Sequence, residues 1–360
     1  MTTPTPSAVC LADYEDLAAK RLDAGAWAYF SGGAADELTL RWNRKAYDRL
    51  ALLPRVLNGG PGGSARIRLF GRTYAHPIFV APVAHQGLAH PEAERATAMA
   101  AAAQGAGMVL STLATVAMET AASAGETCRW FQLYMQAERD STLRLVRRAE
   151  AAGFEVLVVT ADAPISGVRN REHRAGFHIP SSHIPENLKG LALPPTPHQQ
   201  DGGSIIFDHF MAIAPRWQDI EWLRSATALP IVVKGIMTVD DASRALDAGV
   251  NGIVVSNHGG RTLDTVPATI DVLPGIAEHV AGRVPLLVDG GIRRGTDVLK
   301  AVASGAAAVL IGRPIVYGLA VNGAMGVAHV LRLLRDEFEA AMALTGVRTV
   351  ADISPRLLRR

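Results

Sequence analysis

Ile253-Val254-Val255-Ser256-Asn257-His258-Gly259-Gly260-Arg261 is the stretch on which the fold turns. The apolar run is continuous rather than alternating, the pattern of a strand buried on both faces of a parallel sheet. The residues after it then form the loop at the strand's carboxyl end. Such an end presents an imidazole and a guanidinium together. Histidine supplies a base near neutral pH, arginine holds a carboxylate through two parallel hydrogen bonds, and paired glycines let the backbone approach a ligand. Taken alone, the His-Gly-Gly-Arg run reads equally well as a polar surface loop.

The same unit recurs on either side. Apolar strand-like runs occupy residues 77–82, 108–112, 130–134, 156–162, 230–235, 252–256, 284–291 and 307–312. Amphipathic helical segments lie between them, among them 91–104, 140–152, 239–248 and 296–304. These end near Gly105, Gly153, Gly249 and Gly305, where a left-handed residue can close a helix. Strand, helix, glycine and strand, repeated to eight strands, predict an α/β fold of the (β/α)8 TIM-barrel class. A doubly wound sheet is the alternative, but no glycine fingerprint follows the first strand.

Two regions fall outside the barrel pattern. Residues 1–76 are expected to form a mostly helical extension, with an amphipathic segment at 11–22 and a polar turn at Ser31-Gly32-Gly33. Residues 77–360 then form the barrel domain. Within it, 177–215 is a long loop between strands four and five, containing Pro180, Pro185, Pro194, Pro195, Pro197 and Gln199-Gln200-Asp201-Gly202-Gly203. A loop of that length is either disordered or a lid over the site.

Composition narrows the function. The 360 residues are 49% hydrophobic and 19% charged, as a large globular core requires, and the formal net charge is +2 without a basic run, so nucleic acid is not expected. Cys10 and Cys128 are too few and too far apart for a disulfide framework or metal cluster, and a reducing cytoplasm is the expected setting. Met1 to Ser7 does not resemble a secretory signal, and no apolar run reaches the roughly 18 residues of a membrane span.

In a (β/α)8 barrel, chemistry collects at the carboxyl ends of the strands. Those ends carry Ser111, Gln132 and Tyr134, Thr160 and Asp162, Lys234, His258 and Arg261, Asp289-Gly290-Gly291, and Gly312-Arg313. Polar groups at so many buried strand ends cost free energy unless they are used. The loops Asp289-Gly290-Gly291-Ile292-Arg293-Arg294-Gly295 and Gly312-Arg313-Pro314 suit a phosphate, bound by backbone N–H groups, a helix N-terminus and the arginines. Lys234 has three readings: a Schiff-base lysine, a cation stabilising negative charge on a cofactor ring, or a structural ion pair. The second is favoured beside a phosphate site.

From about Leu11 to about Ser354 the chain resembles the FMN-dependent α-hydroxy acid oxidases and dehydrogenases, which include glycolate oxidase, lactate oxidase, mandelate dehydrogenase and the flavin domain of flavocytochrome b2. The resemblance rests on Ser256-Asn257-His258-Gly259-Gly260-Arg261 with Leu263-Asp264, the Asp289 to Gly295 run, Phe131-Gln132-Leu133-Tyr134, Val233-Lys234-Gly235 and Arg335-Asp336-Glu337. It implies oxidation of an L-2-hydroxy acid to the 2-oxo acid, electrons passing to FMN and then to oxygen or another acceptor. It also implies a homotetramer or homo-octamer. By position, His258 is implied as catalytic base and Asp162 as its partner. Arg261, Arg169 and Tyr29 are implied to bind the carboxylate, and Tyr134 to face the hydroxyl. Ala84, Ser111, Gln132, Thr160, Lys234 and Ser256 are implied as flavin ring and ribityl contacts. Asp289, Gly291, Arg293, Gly312 and Arg313 are implied to hold the ribityl and phosphate.

The chain departs from the plant glycolate oxidase in the side-chain pocket. It has Leu113 in place of a tryptophan and Ser166 in place of a leucine, so a substrate larger than glycolate is expected: lactate, a longer 2-hydroxy acid or a mandelate. No haem-binding segment precedes the barrel, so a fused cytochrome is not expected. The alternatives are a Schiff-base lyase using Lys234 and a non-oxidase FMN barrel such as an isomerase.

Overall fold

Eight short parallel strands close on themselves in the computed structural model, which describes residues 8–192 and 202–359. They are β1 (Ile78–Val80), β2 (Gly107–Ser111), β3 (Trp130–Leu133), β4 (Val156–Thr160), β5 (Ile231–Ile236), β6 (Gly252–Val255), β7 (Leu286–Val288) and β8 (Ala308–Ile311). Each pairs with its neighbours in sequence, and β8 returns to β1 through Val309 beside Ile78. Apart from Gly235 every strand residue is buried, which is why the runs are apolar throughout. Phe79, Trp130, Val158, Val232, Val254 and Leu287 fill the barrel interior. The opposite faces of the strands pack on the helices around it. The (β/α)8 expectation is met.

Strand ends are shorter than the apolar runs. β7 stops at Val288, because Gly290 and Gly291 have φ of +92° and +80° and turn the chain out of the ladder. β4 stops at Thr160, which leaves Asp162 beyond the sheet. The helices Ala93–Gln104, Arg139–Ala151, Val239–Asp247 and Gly295–Ala303 are each followed within two residues by a left-handed glycine, at Gly105, Gly153, Gly249 and Gly305. The final helix, Arg313–Leu344, is by length and composition apolar enough to cross a membrane. It is broken at Asn322 and Gly323, however, and 67% of its apolar window is buried. It packs on Ala93–Gln104, Leu11–Arg21 and Gly295–Ala303 as a core helix.

The N-terminal region is helical at Leu11–Arg21, Ala24–Ser31 and Leu38–Arg49, but the expectation of a mostly helical segment to residue 76 fails after Arg49. Ala51–Leu52 pairs with Leu358–Arg359, and Ile67–Leu69 forms a hairpin with Arg72–Tyr74. Its two-residue turn, Phe70-Gly71, has φ of +45° and +81°, the primed geometry that matches strand twist. The Phe70 ring meets Trp130 edge-on at 5.3 Å, and Trp130 Nε1 donates to Tyr74 Oη at 3.1 Å. The hairpin therefore plugs the amino end of the barrel, and burial of the Phe70 ring holds a non-glycine residue in the left-handed region.

The segment between β4 and β5 is structured where it is described. It holds single turns at Ser181–His183, Glu186–Leu188 and Ile206–Phe210, then the crossover helix Trp217–Ala226. Pro194, Pro195, Pro197, Gln199, Gln200 and Asp201, like Met1 to Ser7, lie outside the described residues.

The helix Leu38–Arg49 is tied to the loop after β6 by a reciprocal amide pair. Asn43 Nδ2 donates to Asn257 Oδ1 at 2.9 Å, Asn257 Nδ2 donates to Asn43 Oδ1 at 2.9 Å, and both residues are buried. Asn257 Oδ1 also accepts from Gly260 N at 3.2 Å, and its Nδ2 donates to Pro267 O at 3.1 Å. Replacing Asn43 by alanine removes one of the two hydrogen bonds at each polar atom of the buried Asn257 side chain. Asn43→Ala is expected to lower unfolding stability in urea by about 1–3 kcal/mol. A native midpoint would contradict this role.

Candidate active site

One cavity of about 870 Å³ opens at the carboxyl ends of the strands. Of the residues to which the resemblance assigns a role at the site, all but Asp162 and Ser256 line it. Those two stand directly behind lining residues, and each bonds one of them.

His258 follows β6 with φ of +56°, a left-handed conformation that Gly259 and Gly260 continue. Its Nδ1 lies 2.9 Å from Asp162 Oδ1. An ionised carboxylate only accepts, so Nδ1 carries the hydrogen and Nε2 carries the lone pair. Burial, reinforced by Lys234, keeps the imidazole below its ordinary pKa despite the upward pull of Asp162. Burial pushes the Asp162 carboxyl up, but His258 and Lys234 outweigh it and hold it below the usual carboxylate range. The pair is thus a neutral base backed by an anion. Gly235, at φ +113°, lets Asp162 approach: a Cβ there would stand 2.5 Å from Asp162 Cβ.

Two guanidinium groups, Arg261 and Arg169, line the same end. Arg261 Nη1 donates to Tyr29 O at 2.5 Å and Gly32 O at 3.0 Å, and its guanidinium carbon lies 5.0 Å from the Tyr29 ring centre. The Ser31-Gly32-Gly33 turn therefore serves as an acceptor for a buried cation. Burial, followed by repulsion from Arg169, lowers the Arg261 pKa. Burial raises both phenols above their ordinary pKa, Tyr134 to about 12. Both therefore remain hydroxyl donors. Leu113 and Ser166 lie on the wall with Phe177, Ile179, Ile206 and Phe210, so the described parts of the long loop form one side of the cavity.

At the centre, Lys234 Nζ donates to Ser256 Oγ at 2.8 Å and pairs with Asp289 Oδ2 at 3.2 Å. Burial works against its charge, but Asp289 and Asp162 outweigh burial and raise its pKa. A lysine held protonated is a poor Schiff-base nucleophile, so the charge-stabilising reading gains over the lyase. Gln132 Oε1 accepts from Ser111 Oγ and from Thr112 N, both at 3.2 Å. Thr160, Ala84 and Ser111 complete the wall.

The far end is cationic. Arg313 donates to three carbonyl oxygens, of Phe30, Gly259 and Gly32, at 3.0, 3.0 and 2.7 Å. Among the described residues no carboxylate pairs with it, and burial lowers its pKa to about 9. Gly291, Arg293 and Gly312 lie alongside. The expected role of a helix N-terminus needs correction at Gly295–Ala303. Asp297 Oδ2 accepts from Arg293 N and Arg294 N, and Glu337 Oε2 from Gly295 N, so that terminus is already satisfied. The glycine turn, the arginine side chains and the N-terminus of Arg313–Leu344, which begins at the cavity-lining Gly312 and Arg313, remain.

Several buried polar atoms here lack protein partners: Gln132 Nε2, Asp289 Oδ1, Asp162 Oδ2 and Arg169 Nε. Unpaired buried groups are costly, and their convergence on one cavity points to a ligand that completes them. An amide donor with a buried ammonium, a carboxylate acceptor, and an arginine-glycine end match, in order, a flat polar ring, a polyol and a phosphate. The residues present fit FMN.

Sequence reasoning missed several polar groups in this cavity, among them Glu172 and His85. Glu172 stands three residues after Arg169 on a short helix, Asn170–Arg174, and the charge spacing was the available signal. His85, at φ +55°, meets the Tyr29 ring at 6.0 Å, a contact without a local sequence signature.

Relatives agree with this geometry. An L-lactate oxidase of Roseobacter sp. (strain GAI101) is 51% identical, the alignment covering 99% of this chain and 96% of that protein. Human 2-hydroxyacid oxidase 1 is 44% identical over 99% of this chain and 97% of its own. A crystal structure of mandelate oxidase superposes with a TM-score of 0.88 at 42% identity and 98% coverage of both chains. The family described as FMN-dependent dehydrogenase matches residues 18–360. With that match and the cavity's complement of donors and cations, the chain belongs to the FMN-dependent dehydrogenase family.

Proposed function

We propose that the protein oxidises L-2-hydroxy acids of lactate size or larger to 2-oxo acids, with oxygen as the final acceptor. The observation that carries this is the meeting of a neutral, carboxylate-backed His258 with the Arg169 and Arg261 guanidinium groups in one cavity. The similarity to enzymes named lactate oxidase and 2-hydroxyacid oxidase supports the reaction class and the acceptor. FMN, when bound, supplies the two-electron acceptor that the chain's own residues lack.

Arg169 and Arg261 hold the substrate carboxylate, and the Tyr29 and Tyr134 hydroxyls donate to the same molecule. Fixing the acid at one end orients its α-carbon, and orientation alone can lower the barrier by several kcal/mol. His258 Nε2 takes one proton from the substrate's CH–OH group, and the electron pair and the second hydrogen pass to bound FMN, leaving the 2-oxo acid. The imidazolium that results faces the Asp162 carboxylate, which stabilises it as it forms. Lys234 stabilises negative charge accumulating at the cofactor, and Gln132 and Ser111 hold the adjacent wall. Arg313, Arg293 and Gly291 neutralise and cradle the phosphate. Phe177, Ile179 and Phe210 line the cavity and leave apolar room next to Leu113 and Ser166 for a side chain.

Two outcomes test this. The base works when neutral, so kcat/KM stays high as pH falls and drops only through a value below about 6.5, the ordinary histidine pKa. Asp162 pulls that pKa upward, so Asp162→Asn should move the acid limb to still lower pH while kcat falls by about 10²-fold. A limb that moves to higher pH contradicts the pairing. In the second test, kcat/KM for L-lactate should exceed that for glycolate by about tenfold or more, the usual worth of one added carbon in an apolar pocket. A preference for glycolate overturns the size assignment.

A further inference from the structure

Three carboxylates stand at the cavity, and two are committed. Asp162 pairs with His258 and Asp289 with Lys234. Glu172 is the third, and it lies at the arginine end. Its Oε1 accepts from Arg169 Nη1 at 3.2 Å and from Arg261 Nη2 at 3.4 Å, and its Oε2 accepts from Arg169 Nη1 at 3.4 Å. The three side chains are 16%, 19% and 15% exposed, so their charges are poorly screened.

The geometry of this triad is loose. All three contacts exceed the roughly 2.7–2.9 Å of a tight ammonium-to-carboxylate bond. By contrast, Arg171 on the same short helix donates to Glu37 Oε2 at 2.5 Å. Arg169 Nε is buried and has no partner at all. Glu172 therefore supplies the two cations with negative charge while leaving donors free. Without it, two guanidinium groups would face each other across a desolvated space. With it, an incoming carboxylate meets a like charge.

We propose that Glu172 is the resting counter-ion of the carboxylate site, a positioning residue that holds Arg169 and Arg261 together and competes with the substrate's carboxylate for them. This rests on reading the arginine pair as the carboxylate site. Substrate binding then displaces one carboxylate by another, and the 2-oxo acid product, which keeps its carboxylate, meets the same competition on leaving. Glu172 tunes affinity and turnover of the bound state; it takes no part in proton or electron transfer.

The test is calorimetric titration of the FMN-loaded protein with oxalate, a carboxylate with no hydrogen to lose. Glu172→Gln should bind oxalate about tenfold more tightly than native protein, and the KM for L-lactate should fall by a comparable factor. Glu172→Asp, which keeps the charge, should bind oxalate within about twofold of native. If Glu172→Gln binds oxalate as native or more weakly, Glu172 merely orients the arginines and the inference is overturned. A different failure marks the underlying reading: native protein that does not bind oxalate, or binds it as well after Arg169→Met, has no carboxylate site at the arginine pair.

Discussion

Arg313 is a buried cation whose side-chain partners among the described residues are backbone carbonyls, and the rest of the site follows from the same constraint. Lys234, Arg261, Arg169 and Arg313 converge on one cavity, and the carboxylates beside them are too few to satisfy every donor. A desolvated excess of positive charge is tolerable only if something anionic arrives. Two anions of different kinds fit: a phosphate at the glycine-arginine end, and a carboxylate at the Arg169 and Arg261 end. The cavity is thus a pair of anion sites with a base between them, and that polarity sets the direction in which a 2-hydroxy acid lies.

The scaffold meets the cost of this arrangement away from the chemistry. The hairpin at Phe70-Gly71 covers the amino end of the barrel, whose interior beneath the site is filled by apolar side chains. The Asn43 and Asn257 amides fasten an N-terminal helix to the loop that carries His258. The turn at Gly32 lends its carbonyl to both Arg261 and Arg313. The N-terminal helices are therefore part of the active site's wall as well as a cover on the barrel.

Much of this was legible in the sequence, for a physical reason. Strands buried on both faces must be continuously apolar, and the polar residue that ends such a run marks the strand's carboxyl end to within a residue at Thr160 and Ser256, whereas β5 runs on to Ile236 past Lys234. The resemblance supplied what periodicity could not: that Asp162 would lie behind His258, although 96 positions separate them. Other features had weak signals. The Phe70-Gly71 turn lacks the Asn-Gly pair that usually announces a hairpin, so residues 50–76 read as helical. The helix N-terminus at Gly295 looked free for phosphate, because the Asp297 and Glu337 carboxylates that occupy it depend on tertiary contact. The contact of Glu172 with Arg261 has no local signal, because the loop after β6 brings Arg261 to it from 89 positions away.

The central claim is that His258 is the base of this site and not a ligand for its cofactor. The direct measurement is anaerobic rapid mixing of FMN-loaded native and His258→Gln protein with L-lactate, following flavin absorbance. The native protein should bleach, and the variant should retain its flavin yet bleach at least about 10²-fold more slowly. Equal rates of bleaching in the two proteins, or a native protein that L-lactate does not bleach, would contradict the account.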